Sequence, residues 1–151
     1  MNEIKFTDYD EVFLQKSWDW LNDPEMKYLT QTSTFSKEGQ LDWFNTLQNR
    51  SDYKIWGVMA DSEPVGAFGL KNITGYDAEY WGYIGNKAYW GRGIGVLMVK
   101  KAIERAKEQG LCAVYLKVIR ENKRAIHLYE KTGFECFDEE NEFLLMKVAI
   151  S

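Results

Sequence analysis

Between Trp90 and Gly95 the chain reads WGRGIG, and no other stretch is better suited to hold an anion. Gly93 and Gly95 allow a tight turn and leave successive amide N–H groups with no side chain in front of them. Free amides at the start of a helix, helped by the positive end of its dipole, suit a phosphate oxygen. Arg92 adds a charge-assisted donor at the same point. A glycine pair ahead of a helix is also a common structural turn, so the stretch takes its meaning from what surrounds it. A second useful group is the phenol of Tyr129. With an ordinary pKa of about 10, it carries a proton at neutral pH that a leaving group can take. Its other reading is a core aromatic on an amphipathic helix. Glu79 is the third candidate. A carboxylate among Tyr80, Trp81 and Tyr83 is placed to take a proton through water, and a solvent-facing strand carboxylate is the alternative. His127, the sole imidazole, sits at a helix position that suits solvent.

These groups need elements to hold them. EYWGYIG (79–85) reads as a strand, with Glu79, Trp81 and Tyr83 on one face and Tyr80, Gly82 and Ile84 on the other. Gly85 ends it, either as a bulge that frees backbone groups or as a plain strand-end glycine. The glycine run then opens a helix over 94–109, where Ile94, Leu97, Met98, Ala102 and Arg105 or Ala106 recur at helical spacing. Gly110 stands where a C-cap belongs. A strand over 111–119 leads to a helix over 122–132, and Asn122 is a good N-cap for it. Upstream, 3–7 alternates as a strand. Asp8 or Asp10 caps a helix running through Leu21, with Val12, Phe13, Trp18 and Leu21 as its apolar positions. Pro24 suits the first turn of another helix. Ser36 caps one running to Gln48, with Leu41, Phe44 and Leu47 on one face. Strands at 53–60 and 64–73 flank a turn at Asp61-Ser62-Glu63, and Thr74-Gly75-Tyr76-Asp77 turns into the strand before the glycines. Strands at 134–138 and 142–149 close the chain.

Taken together, the glycine motif after a strand and NKRAIHLYEKTGF (122–134), one strand later, resemble the GCN5-related N-acetyltransferase family. The likeness is good over roughly residues 55–148 and looser before them. It implies a mixed α/β fold, a mostly antiparallel twisted sheet of about seven strands with a splayed parallel pair and about four flanking helices. It also implies acetyl-CoA as the cofactor, with CoA as product. The pantetheine arm would lie between the splayed strands beside Ile84 and Gly85. The diphosphate would sit on the run from Trp90 and Gly91 through Arg92, Gly93, Ile94 and Gly95 to Val96. Asn122 would stand near the arm, and Tyr129 would be the general acid. Two positions depart from the family. Trp90 replaces a Gln or Arg, so a side-chain contact to the phosphates is missing there. Lys117 stands where some relatives carry a Glu, which leaves Glu79 as the candidate base.

WLNDPEMKYLT and FSKEGQLDWF resemble, more loosely, the matching segments of amino-sugar and ribosomal-protein N-terminal acetyltransferases. Trp18, Trp20, Tyr28 and Trp43 would stack there on a sugar or a base. The expected reaction is acetyl transfer to the primary amine of a small molecule, an amino-sugar nucleotide being favoured. A protein N-terminus or a polyamine comes second, and a catalytically silent CoA-binding module third.

Composition bounds the rest. A length of 151 residues suits one domain, with 45% apolar and 28% charged side chains. The 15% aromatic share, with six Trp, fits aromatic-walled pockets or a core of large side chains. A net charge of −4 argues against nucleic acid as a partner. Cys112 and Cys136 have no metal or redox spacing and read as buried free thiols in a reducing cytoplasm. The N-terminus lacks a signal-peptide core, no run suits a membrane span, and a catalytic zinc is not expected. Expected partners are a small-molecule amine and, as an open option, a second copy in a homodimer.

Overall fold

The computed structural model describes residues 3–150. The chain forms seven strands: β1 (Ile4–Asp8), β2 (Lys54–Ala60), β3 (Glu63–Lys71), β4 (Asp77–Ile84), β5 (Ala113–Ile119), β6 (Glu135–Glu140) and β7 (Phe143–Ala149). They form one sheet in the order β1-β2-β3-β4-β5-β7-β6. Every neighbouring pair is antiparallel except β4–β5. That parallel pair is joined only along Asp77–Glu79 and Ala113–Tyr115. Beyond it, Tyr80–Ile84 and Leu116–Ile119 part company, and the sheet splits into a V.

Five α-helices accompany the sheet: α1 (Glu11–Asn22), α2 (Pro24–Thr30), α3 (Lys37–Thr46), α4 (Ile94–Glu108) and α5 (Lys123–Lys131). Four of them start on a side chain that takes a free first-turn amide. Asp10 accepts from Val12 and Phe13, Asp23 from Met26, Ser36 from Gly39 and Asn122 from Ala125. Pro24 occupies the first turn of α2. The β2–β3 turn uses Asp61 and Ser62 at φ 52 and 67, the left-handed pair that a two-residue hairpin needs. Gly110, at φ 78, follows the end of α4 as expected.

The core lies between the sheet and α4. Met98, Val99, Ala102 and Ala106 on the helix cluster with Val58, Phe68, Leu70, Val114 and Leu116 on the strands. Burying a side chain of Val, Leu or Phe size contributes about 1.5–3 kcal/mol, so this face holds the helix in place. Three expected apolar positions point elsewhere: Leu97 is 43% exposed, Leu41 50% and Val12 52%. On α4 the stripe turns through Val99 instead, and on α1 it runs through Phe13, Leu14 and Ser17. The predicted helix to Gln48 ends at Thr46, and a 3-10 turn over Leu47–Asn49 follows. The cysteines also differ from expectation. Both are free, but Cys112 is half-buried and Cys136 exposed, because β6 is an edge strand with all six positions in solvent.

Candidate active site

The site begins where α4 does. Gly91 and Gly93 have φ of 73 and 80, a left-handed backbone that a side chain would strain. Gly93 is the N-cap, and no side chain bonds the first turn of α4. Trp90 N–H closes the preceding turn on the Lys87 carbonyl. From Gly91 to Val96 the amides have no acceptor among the described residues. Gly95 has a second task besides its bare amide. A Cβ there would press on Leu128 of α5, so this glycine lets the two helices approach.

The V between β4 and β5 runs from this mouth toward the last paired residues, Glu79 and Tyr115. Alternation in the β3–β4 ladder turns the backbone polar groups of Tyr80, Gly82 and Ile84 toward the gap. Gly85 does not free its amide. Its N–H and that of Asn86 both donate to the Val65 carbonyl, at 2.8 and 3.1 Å. A side chain at 85 would meet the Trp20 indole, so packing on α1 also requires glycine there. Trp90 is held by the same strand end. Its Nε1 donates to the Ile84 carbonyl at 2.7 Å.

Tyr129 projects from α5 into this region and is 8% exposed. Its ring meets Tyr80 edge-on at 6.1 Å and Phe134 at 5.8 Å. Its hydroxyl makes no hydrogen bond to a described residue, and burial pushes its pKa up to about 12. The group therefore keeps its proton at any ordinary pH. Asn122 does what an N-cap does, accepting from Ala125 at 3.3 Å, while its Nδ2 reaches the Leu29 carbonyl at 3.5 Å. His127 is exposed on α5.

On the other face of β4 stands an aromatic wall. Ring contacts run from Tyr9 to Trp43 (6.0 Å), Trp43 to Tyr53 (5.9 Å), Tyr53 to Trp81 (6.2 Å) and Trp81 to Tyr83 (6.2 Å). Ser17 closes the circuit. Its buried hydroxyl lies 2.8 Å from both the Tyr9 and the Tyr83 hydroxyls. Burial pushes the phenol of Tyr9 up to about 12, and those of Tyr53 and Tyr83 rise for the same reason. Glu79 stands beside this wall. Its Oε1 accepts from Asn72 Nδ2 at 3.0 Å and its Oε2 lies 3.8 Å from Lys71 Nζ. Lys117 is nearby on β5, 3.4 Å from Glu140 and over the Phe143 ring. One cavity of about 1010 Å³ joins the wall, Glu79, the V, Tyr129 and the mouth of α4.

Sequence reasoning thus pointed at both ends of this cavity but mistook some of its lining. Of the four aromatics expected to stack on an acceptor, Trp43 lines the cavity. Trp18 packs edge-on to Phe35, Trp20 covers Gly85, and Tyr28 is 50% exposed. Tyr9, Ser17, Tyr53 and Arg124 were missed. They come from four separate segments, and no local pattern links them. Among the described residues no group of three His, Cys, Asp or Glu is placed to hold a metal ion.

Comparison with known proteins gives this arrangement a family. The model of the acetyltransferase (GNAT) family matches residues 14–134. Acetyltransferase PseH of Campylobacter jejuni (strain 81-176) is 25% identical over 142 residues, covering 91% of this chain and 87% of that protein. The crystal structure of C. jejuni PseH in complex with acetyl coenzyme A matches with a TM-score of 0.75 at 20% identity, over 100% of both chains. Spermidine N-acetyltransferase from Vibrio cholerae, in complex with CoA and spermine, matches with a TM-score of 0.87 at 18% identity, over 97% of this chain and 95% of that one. At such identities the two structural matches speak for the fold.

Proposed function

The chain belongs to the acetyltransferase (GNAT) family and is an acetyl-CoA-dependent N-acetyltransferase; we propose that its acceptor is the primary amine of a small molecule, an amino-sugar nucleotide before others. The observation that carries the donor site is the run of bare amides from Gly91 to Val96 at the mouth of α4, open to the same cavity as Tyr129. A diphosphate satisfies such amides, and the helix dipole favours its charge. The backbone groups of Tyr80 and Gly82 that face the gap, with the Ile84 amide, suit an extended, amide-bearing arm lying in the V as a strand would.

Acetyl-CoA supplies an activated acyl group and a thiolate that must leave protonated. Tyr129 holds a proton in reserve for that thiolate, since burial keeps its phenol neutral. Glu79 receives the proton of the incoming amine, directly or through a water, and Asn72 and Lys71 fix its carboxylate in place. The aromatic wall beside them offers flat faces to a sugar or a base. Charge on the acceptor side is balanced, since Lys71 pairs with Glu79 and Lys117 with Glu140. A polycation would meet little uncompensated negative charge there. Two free thiols suit the reducing cytoplasm, where we place the enzyme.

Thiol release from acetyl-CoA with a panel of amines tests the assignment. Amino-sugar nucleotides should turn over faster than spermidine or an N-terminal peptide. Turnover confined to peptides or polyamines would refute the acceptor class. Tight CoA binding without turnover on any amine would refute the transfer itself.

A further inference from the structure

Trp90 carries two cations, and only one of them is neutralised. Lys87 Nζ lies 5.9 Å from the indole and pairs at 2.9 Å with both Asp23 and Glu25. The Arg124 guanidinium lies 4.6 Å from the same indole and has no carboxylate and no hydrogen-bond acceptor among the described residues. A stacked guanidinium keeps its in-plane donors free for another group. The indole cannot drift, because its Nε1 is bonded to the Ile84 carbonyl at the end of β4. Arg124 also stands one helical turn before Leu128, which packs against Gly95 in the first turn of α4. The free cation therefore faces the helix mouth where the amides lack acceptors. Within the glycine loop Arg92 stacks on Tyr89 at 5.1 Å in the same manner.

We propose that Trp90 is a positioning residue for the donor's diphosphate: it has given up the side-chain contact expected at its own position and instead carries Arg124 onto that group. The inference rests on the acetyl-CoA reading above. Trp90 itself touches no phosphate. It fixes the end of β4 to the loop before α4 and sets the plane of the guanidinium. The missing Gln or Arg at position 90 is thereby replaced from another helix.

Calorimetric titration of the full chain with CoA, at two salt concentrations, tests this directly. R124Q should weaken binding about tenfold and flatten its salt dependence, with kcat at saturating acetyl-CoA unchanged. W90F keeps a ring under Arg124 and should stay within about threefold of the wild type. W90A should lose as much as R124Q, and W90A/R124Q no more than about threefold beyond W90A, since the two act as one unit. Fully additive losses, or R124Q at wild-type affinity, would overturn the inference. If W90A does not fold, R124K decides. An ammonium lacks the planar stack, so weakening of at least about threefold supports the inference and wild-type affinity overturns it. A wild-type chain that does not bind CoA removes the donor reading as well, whereas CoA binding that ignores Arg124 removes this inference alone.

Discussion

Helices α4 and α5 each follow one strand of the parallel pair and open onto the same cavity, yet their first turns are finished in opposite ways. At α5, Asn122 at φ −82 folds its side chain back onto the Ala125 amide. At α4, Gly93 at φ 80 offers no side chain at all. Compared with glycine, a capping side chain gains roughly a few tenths of a kcal/mol, so α4 forgoes a little stability that four other helices in this molecule take. On the proposed function, the difference separates a structural end from one that the donor's diphosphate completes.

The sharpest way to break the comparison is to finish α4 from within. Gly93→Asp places a carboxylate at the bare amides, with about 1–2 kcal/mol of left-handed backbone strain against it. CoA affinity measured by calorimetry should fall by at least about 100-fold, since several charge-assisted bonds are replaced by repulsion. Affinity within a factor of a few of the wild type would mean that the mouth of α4 is not the anion site. Tyr129→Phe comes next. Its kcat should fall about 100-fold with KM for acetyl-CoA nearly unchanged. An unaltered kcat would move the proton donor elsewhere.

Alkaline titration asks whether the cavity's phenols are as isolated as their burial implies. Tyr9 and Tyr129 are pushed up to about 12, above the ordinary value of 10 that they regain on unfolding. A raised pKa contributes stability that is full below pH 10 and is lost as pH rises toward 12. Ultraviolet absorbance of tyrosinate should therefore show these groups ionising late and together with unfolding. Activity should have no falling limb from Tyr129 near its unperturbed pKa. Early, independent ionisation would show that water reaches them.

The smallest effect belongs to α5. Asn122→Ala removes a cap worth about 1 kcal/mol, a melting-point loss of about 2–4 °C for a chain of this size. CoA affinity should change by no more than about threefold. A large loss of affinity at unchanged melting temperature would make Asn122 a ligand and erase the distinction between the two helix ends.

Local chemistry was enough to locate most of the elements. Ser36 and Asn122 mark helix starts because a cap acts within three residues, with Asp10 one of two alternatives for α1, and Gly93 and Gly110 mark turns because backbone sterics are local. Tyr129 was legible from its motif. The side a long element turns to its partner was less so, and Leu97 and Leu41 fell outside their expected stripes. A period of 3.6 leaves neighbouring positions nearly equivalent until a partner surface chooses between them.

By itself, then, the amino-acid order determined where backbone amides would be left bare and that strands and helices would alternate around them. Only the tertiary structure decided that Tyr9, Ser17, Trp43, Tyr53, Trp81 and Tyr83 close into one wall, that Gly85 answers to Trp20, and that Arg124 comes to rest on Trp90. Those contacts join segments far apart in the chain, and their geometry is set by how the sheet, α1 and α5 pack. Capping and turn formation are short-range and can be read residue by residue. A cavity is a property of surfaces that meet only after folding.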